Sequence, residues 1–167
     1  MMKSLVAYYS RTGTTRTVAE ALADALKADI EAITSVTTEG KGTGRLVLHT
    51  LLKTRAEISP TTKDPSSYDL VVIGTPVWAG SMSTPIRTYL EKSKGAFKNV
   101  ALFCTYGGSR SEKALRSMES LCGKTAVATL DVLERDVKSG EYAERVKRFA
   151  TTLLEDPLRS SQTERSR

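Results

Sequence analysis

A hydroxyl-rich turn at residues 10–15 follows the first apolar run of the chain and precedes a helix-forming segment. Backbone N–H groups in the first turn of a helix lack intrahelical partners and carry the positive end of the helix dipole, so they attract anions. Ser10, Thr12 and Thr15 add hydroxyl donors, and Gly13 lets a ligand approach the backbone closely. The turn therefore predicts a phosphate-binding loop, with a plain helix cap as the alternative.

Two later loops, at residues 75–81 and 105–110, each combine one large aromatic residue with small neighbours. These aromatic residues are Trp78 and Tyr106. A flat tricyclic ring needs such surfaces to stack on, and it needs free backbone groups to hydrogen-bond its edge. Taken singly, each aromatic residue is better explained by packing. Beside a phosphate loop, the two together predict a site for a flat ring that carries a phosphate.

Cys104 is a candidate nucleophile for a different chemistry, the hydrolysis of phosphate esters. With Arg110 and Ser111 it matches the short signature of cysteine-dependent tyrosine phosphatases, in which a thiolate at a helix start attacks phosphorus. Phosphatases of similar topology carry this loop after their first strand. They also require a general acid, and the pair Asp156-Pro157 lies at the start of the predicted C-terminal tail. Cys104 is also explained as a buried strand residue, so a phosphatase is a remote alternative.

The composition is typical of one domain with a core large enough to need no disulfides, in a chain of 167 residues. Cys104 and Cys122 have neither disulfide-framework nor zinc-ligand spacing, and no signal peptide or long apolar run is present. We therefore expect a reduced, cytoplasmic protein that does not enter membranes. His49 is the only histidine, which excludes a site built on several histidines.

The net charge of +6 is concentrated in the middle of the chain. Residues 80–124 hold eight basic residues against three acidic ones. Such a block predicts an acidic partner or an anionic small molecule, with a solvated basic face as the alternative. No nucleic-acid motif accompanies it, and with Trp78 as the only tryptophan there is no repeated stacking platform, so we do not expect nucleic acid.

Apolar runs of strand length alternate with amphipathic helical segments along the chain. The predicted strands cover residues 4–9, 30–34, 69–74, 100–104 and 126–133. The predicted helices cover residues 18–26, 84–95, 109–123 and 141–154, with a further one around 46–52. The segment 157–167 is nearly free of apolar residues and predicts a disordered tail, which leaves residues 1–156 as the domain.

This alternation predicts a parallel sheet with right-handed crossovers and helices on both faces. Ligands of such sheets bind beyond the carboxyl ends of the strands, where the strand order reverses. The loops at residues 10–15, 75–81 and 105–110 all follow predicted strands at that edge. We therefore expect the three loops to meet in one site.

Residues 3–155 resemble the flavodoxin family. Three runs carry the resemblance: Ser-x-Thr-Gly-x-Thr at 10–15, Gly-Thr-Pro-Val-Trp-Ala-Gly at 74–80 and Cys-Thr-Tyr-Gly-Gly at 104–108. It implies FMN as cofactor and an α/β fold with a doubly wound, five-stranded parallel sheet of order 2-1-3-4-5. A fifth strand that runs uninterrupted into Arg135 and Asp136 implies the short-chain form. The implied FMN-binding residues are Ser10, Arg11, Thr12, Gly13, Thr14, Thr15, Thr75, Pro76, Val77, Trp78, Ala79, Gly80, Thr105, Tyr106, Gly107 and Gly108.

The resemblance also implies electron transfer, because FMN supplies redox chemistry. We expect redox partner proteins with an acidic docking face that matches the basic block. Arg11 and Arg110 depart from the acidic surroundings of the well-known flavodoxins and would favour an anionic reduced ring. That departure keeps an NAD(P)H- or quinone-dependent FMN oxidoreductase as the alternative function.

Overall fold

The structure is a computed structural model that describes residues 1–36, 56–108 and 110–155. The helix predicted around residues 46–52 and the tail predicted at 157–167 lie outside the described residues. Both stay predictions, and so does the domain boundary at residue 156.

Six strands lie within the described ranges, and five of them form a parallel sheet. They are β1 (Ser4–Tyr8), β2 (Asp29–Ala32), β3 (Leu70–Trp78), β4 (Ser81–Met82), β5 (Val100–Tyr106) and β6 (Thr129–Leu133). The parallel strands are ordered β2-β1-β3-β5-β6, while β4 pairs antiparallel with the end of β3. Counted without β4, this is the order 2-1-3-4-5, so the predicted fold class is confirmed.

Helices cover both faces of this sheet. In the described residues they are α1 (Thr14–Leu26), α2 (Thr84–Lys92), α3 (Ser111–Cys122), α4 (Glu134–Ser139) and α5 (Tyr142–Glu155), and a 3-10 turn lies at Pro65–Ser67. α1 packs with α5 on one face, and α2 packs with α3 on the other. Within the described ranges, every helix is too short or too polar to cross a membrane.

The three central strands are buried on both faces because their apolar runs are continuous. Successive side chains of β3 enter opposite layers of the core: Ile73 packs in the layer of α2 and α3, whereas Val72 packs in the layer of α1 and α5. The two layers hold β1, β3 and β5 from both sides. The carboxyl ends of these three strands are therefore held rigidly, as a binding site requires.

The segment predicted as a loop at residues 75–81 is instead a β-hairpin. β3 continues to Trp78, which pairs with Ser81 of β4. Between them, Ala79 and Gly80 have φ angles of 49° and 73°, as a two-residue type I′ turn requires. Left-handed backbone costs a residue with a Cβ roughly 1–2 kcal/mol. The strand pairing of the hairpin must outweigh that cost at Ala79.

The fifth parallel strand and the third helix differ from the predictions at their ends. β6 ends at Leu133, where α4 begins, so Arg135 and Asp136 lie in a helix and not in the strand. α4 has no buried residues, so it has no apolar periodicity that could predict it. α3 begins at Ser111, with Arg110 as a left-handed N-cap at φ 79° and no side-chain hydrogen bond to cap it.

Candidate functional site

A cleft of about 190 Å³ lies at the carboxyl ends of β1, β3 and β5. The strand order reverses here, because α1 and α2, which follow the neighbouring strands β1 and β3, lie on opposite faces. The lining residues are Arg11, Thr12, Thr14, Thr15, Pro76, Val77, Trp78, Thr105, Tyr106, Gly107 and Glu134. All of them except Glu134 belong to the predicted set, so the three segments do meet in one site.

The first wall of the cleft is the turn that leads into α1. Gly13 is the N-cap at φ 96°, and its N–H donates to Ser10 Oγ at 3.1 Å. The first helical backbone bond runs from the Thr17 N–H to the Gly13 carbonyl at 3.0 Å, so the amides of residues 14–16 precede the first intrahelical acceptor. Uncharged donors at a helix start, with Arg11 beside them, are the donor set that a phosphate needs.

A buried contact between two hydroxyls joins this wall to β5. Thr15 Oγ1 and Thr105 Oγ1 are 2.7 Å apart, and both side chains are almost fully buried. The hydrogen bond connects the first turn of α1 to the end of β5. It therefore fixes the distance between the phosphate-type loop and the strand that carries Tyr106.

The second wall carries Trp78, which is half-buried at the end of β3. Tyr9, directly after β1, contacts it edge to face, with ring centroids 5.6 Å apart and ring planes at 90°. Aromatic contacts of this geometry stabilise by about 0.5–1.5 kcal/mol beyond area burial. Tyr9 thus positions Trp78, a role that the sequence does not reveal because Tyr9 continues the apolar run of β1.

Thr75 supports the hairpin and is not among the lining residues. Its Oγ1 accepts a hydrogen bond from the Ser83 N–H at 2.9 Å and lies 3.1 Å from Ser83 Oγ. Thr75 is fully buried, and the two bonds fix the start of α2 against β3. The other predicted residues that do not line the cleft are Ser10, Gly13, Ala79, Gly80 and Gly108.

The third wall carries Tyr106, the last residue of β5, which is half-buried. Burial raises the pKa of its phenol, and the negative charge of Asp131 raises it further, so Tyr106 is neutral near pH 7. Asp131 accepts hydrogen bonds from Arg145 Nη2 and from Ser111 Oγ, both at 3.2 Å. This cluster joins β6 to α3 and α5 behind Tyr106. No local motif marks it, because its members come from three elements.

Among the described lining residues, only Glu134 is outside the predicted set. It is the first residue of α4, and its Oε1 pairs with Lys138 Nζ at 3.1 Å. A Cβ on Gly107 would lie 3.4 Å from Glu134 Oε2, so the glycine leaves room for this carboxylate. Together with Arg11, Glu134 gives the cleft both positive and negative charge, whereas the charged residues of the three predicted loops are all arginines.

The phosphatase interpretation is wrong for Cys104. Its side chain is fully buried in β5, and burial, with a smaller contribution from Asp131, raises the pKa of the thiol to about 12. A nucleophilic cysteine needs a lowered pKa and an accessible sulfur. Cys104 is instead a core residue of the central strand.

Neither cysteine of the folded protein should react with DTNB at pH 8. Cys104 and Cys122 are buried, and burial raises the pKa of the Cys122 thiol to about 11, so almost no thiolate forms at either position. Both should react promptly after unfolding in urea. A fast-reacting thiol in the folded protein, or p-nitrophenyl phosphate hydrolysis that Cys104→Ser abolishes, would contradict the core assignment.

A doubly wound parallel sheet, with a phosphate-type loop after its first strand and aromatic residues at the ends of the next two central strands, defines the flavodoxin-like class of α/β proteins. The family model described as Flavodoxin matches residues 3–149 of this chain. The chain therefore belongs to the flavodoxin family.

Solved flavoproteins are similar to it over most of its length. The flavoprotein from Lactobacillus acidophilus NCFM, determined in complex with FMN, is 25% identical with a TM-score of 0.71, covering 86% of this chain and 99% of that one. A protein from Bacteroides eggerthii DSM 20697 described as a flavoprotein is also 25% identical, with a TM-score of 0.67 over 84% and 96% of the two chains. One from Bacteroides uniformis ATCC 8492, at 24% identity, shares the fold with a TM-score of 0.75 over 90% and 98%.

Proposed function

We propose that this protein binds FMN noncovalently in the cleft and carries electrons between partner proteins. Membership of the flavodoxin family and the FMN complex of the Lactobacillus relative support FMN as the cofactor. One observation carries the proposal: a single cleft joins a helix start suited to phosphate with two aromatic side chains, Trp78 and Tyr106. FMN has the two matching parts, a phosphate and a flat ring system.

The residues of the cleft divide by their chemistry. The first-turn amides of α1 and the threonine hydroxyls at residues 12–15 would hold the phosphate, and Arg11 adds a positive charge. Trp78 and Tyr106 would flank the ring by stacking. When bound, FMN supplies the redox chemistry, while the protein binds it, orients it and sets the charge around it.

A carrier fits this cleft better than a reductase that oxidises NAD(P)H or reduces quinones. A reductase must admit its substrate onto one face of the ring, whereas a carrier covers both faces and exposes an edge. Trp78 and Tyr106 come from two different strands, which supports cover on both faces.

The purified protein should be yellow and release FMN on denaturation. Apoprotein should bind FMN more tightly than riboflavin, because riboflavin lacks the phosphate that the α1 turn would hold. With NADH or NADPH as the sole reductant, the holoprotein should show negligible oxidation of either. A colourless protein that takes up no FMN would contradict the proposal, and rapid NAD(P)H turnover with a quinone would replace the carrier with the reductase.

We also propose a cytoplasmic location for this carrier. Its two cysteines, Cys104 and Cys122, are both free thiols buried in the core. Proteins of oxidising compartments commonly use cysteine pairs as disulfides, whereas the cytosol keeps thiols reduced. Protein prepared with a thiol reductant and protein prepared without one should accordingly have the same melting temperature.

A further inference from the structure

The basic residues of the segment 80–124 separate to opposite ends of the sheet. Lys98 precedes β5 and pairs with Asp69, which precedes β3, at 3.6 Å; this is the amino end of both strands. Lys94 follows α2, and its Cε lies 3.7 Å from where a Cβ on Gly123 would be, directly after α3. These lysines are therefore far from the cleft, although a count along the sequence groups them with the residues beside it.

Two arginines lie instead at the cleft end, and both approach the β3–β4 hairpin. The alkyl part of Arg110 covers the turn, because a Cβ on Gly80 would lie 3.1 Å from Arg110 Cδ. Arg87 approaches from α2, and its Nη2 is 3.5 Å from Ser81 Oγ. Since the hairpin carries Trp78, both guanidinium groups are next to the second wall of the cleft.

The guanidinium groups of both arginines are available to pair with carboxylates of a partner protein. Within the described part of the chain, neither forms an ion pair, whereas Lys98, Arg116 and Lys138 all do. Arg110 also has a left-handed backbone at φ 79°, which is uncommon for a residue with a long side chain. Strained residues of this kind cluster at functional sites.

We propose that Arg87 and Arg110 dock carboxylates of an acidic redox partner beside the Trp78 hairpin, an inference that rests on the electron-carrier function proposed above. Planar guanidinium groups pair with carboxylates through two parallel hydrogen bonds, so they fix orientation as well as attract charge. A partner docked there lies against the hairpin that forms one wall of the cleft. Opposite charge at this place mainly speeds encounter.

The test compares two pairs of substitutions with the same change in charge. One variant is Arg87→Gln with Arg110→Gln. Its matched control is Lys94→Gln with Lys124→Gln, because Lys124 directly follows Gly123, beside which Lys94 lies. A fluorescein-labelled hexaglutamate peptide is titrated at an ionic strength of about 100 mM, where the Debye length is about 10 Å and charges beside the peptide outweigh distant ones. Separately, reduced holoprotein is oxidised by ferricyanide, a small anion, in a stopped-flow instrument.

The arginine pair should weaken peptide binding about fivefold and slow the ferricyanide reaction about tenfold, with less than a twofold effect from the lysine pair. Arg87→Lys with Arg110→Lys should restore most of the ferricyanide rate, because it keeps the charge. Equal effects from the two glutamine pairs, or a slowed ferricyanide reaction that the lysine variant does not restore, would overturn the docking inference. The peptide titration does not need FMN, so a protein that takes up no FMN contradicts the proposed function alone.

Discussion

Trp78→Ala is expected to weaken FMN binding by about 1–3 kcal/mol, which is roughly 5- to 150-fold in Kd. The substitution removes a stacking surface from the second wall, while the backbone of the hairpin is held by Thr75 and Ser83. Trp78→Phe keeps a smaller aromatic face and should lose much less. Flavin fluorescence titrations of the three apoproteins give the three constants.

Tyr106→Ala should produce a loss of the same size at the third wall, and Tyr106→Phe should be close to wild type. Trp78 is the only tryptophan, so its emission reports on this wall alone and should be quenched as FMN binds. Unchanged emission at saturating FMN would show that Trp78 is not at the ring. Equal affinities for the alanine and phenylalanine variants at either position would exclude stacking there.

Gly74→Ala should destabilise the protein by about 3 kcal/mol or more. A Cβ at this position would lie 2.0 Å from Phe103 Cζ. Gly74 is in β3 and Phe103 is in β5, and the side chains around them are fully buried. Overpacking in such a place forces the ring or the strand to move. The loss is measured as the free energy of unfolding in urea. The matched control is Gly108→Ala, because a Cβ there meets no atom within 4 Å among the described residues beyond its chain neighbours, so stability should change by less than about 0.5 kcal/mol.

A double variant identifies Phe103 as the cause. Phe103→Leu alone leaves a cavity and should be destabilising, but in combination with Gly74→Ala it removes the clash. The double variant should therefore be more stable than the sum of the two single losses predicts, by about 1 kcal/mol or more. Additive losses would mean that Gly74→Ala acts through something other than the ring.

The order of strands and helices could be predicted from the sequence because each element has its own periodic signal. Val72 and Ile73 belong to an unbroken apolar run that marks a strand buried on both faces. The loops at the ends of such strands must share one edge of a parallel sheet. That rule and the resemblance of three short runs together predict ten of the eleven residues that line the cleft.

The remaining features depend on contacts between residues distant in sequence. Glu134 reaches the cleft from a short helix without buried residues, and Tyr9 matters only because β1 ends beside the hairpin. The basic residues of the segment 80–124 are close together in sequence but not in space, for a geometric reason. Each helix returns from the carboxyl end of the sheet to its amino end, so residues two turns apart, such as Arg87 and Lys94, lie toward opposite ends of the sheet.

The buried pair of Thr15 and Thr105 also gives the cleft a proton donor that can change sides. Each hydroxyl has one hydrogen, and the 2.7 Å bond between them uses only one of the two. When Thr105 donates, the hydrogen of Thr15 is left for the α1 side, and when Thr15 donates, the hydrogen of Thr105 is left for the β5 side. The distance between the two oxygens is the same for both arrangements, so the pair can offer a hydrogen to either side of the cleft while its heavy atoms stay in place.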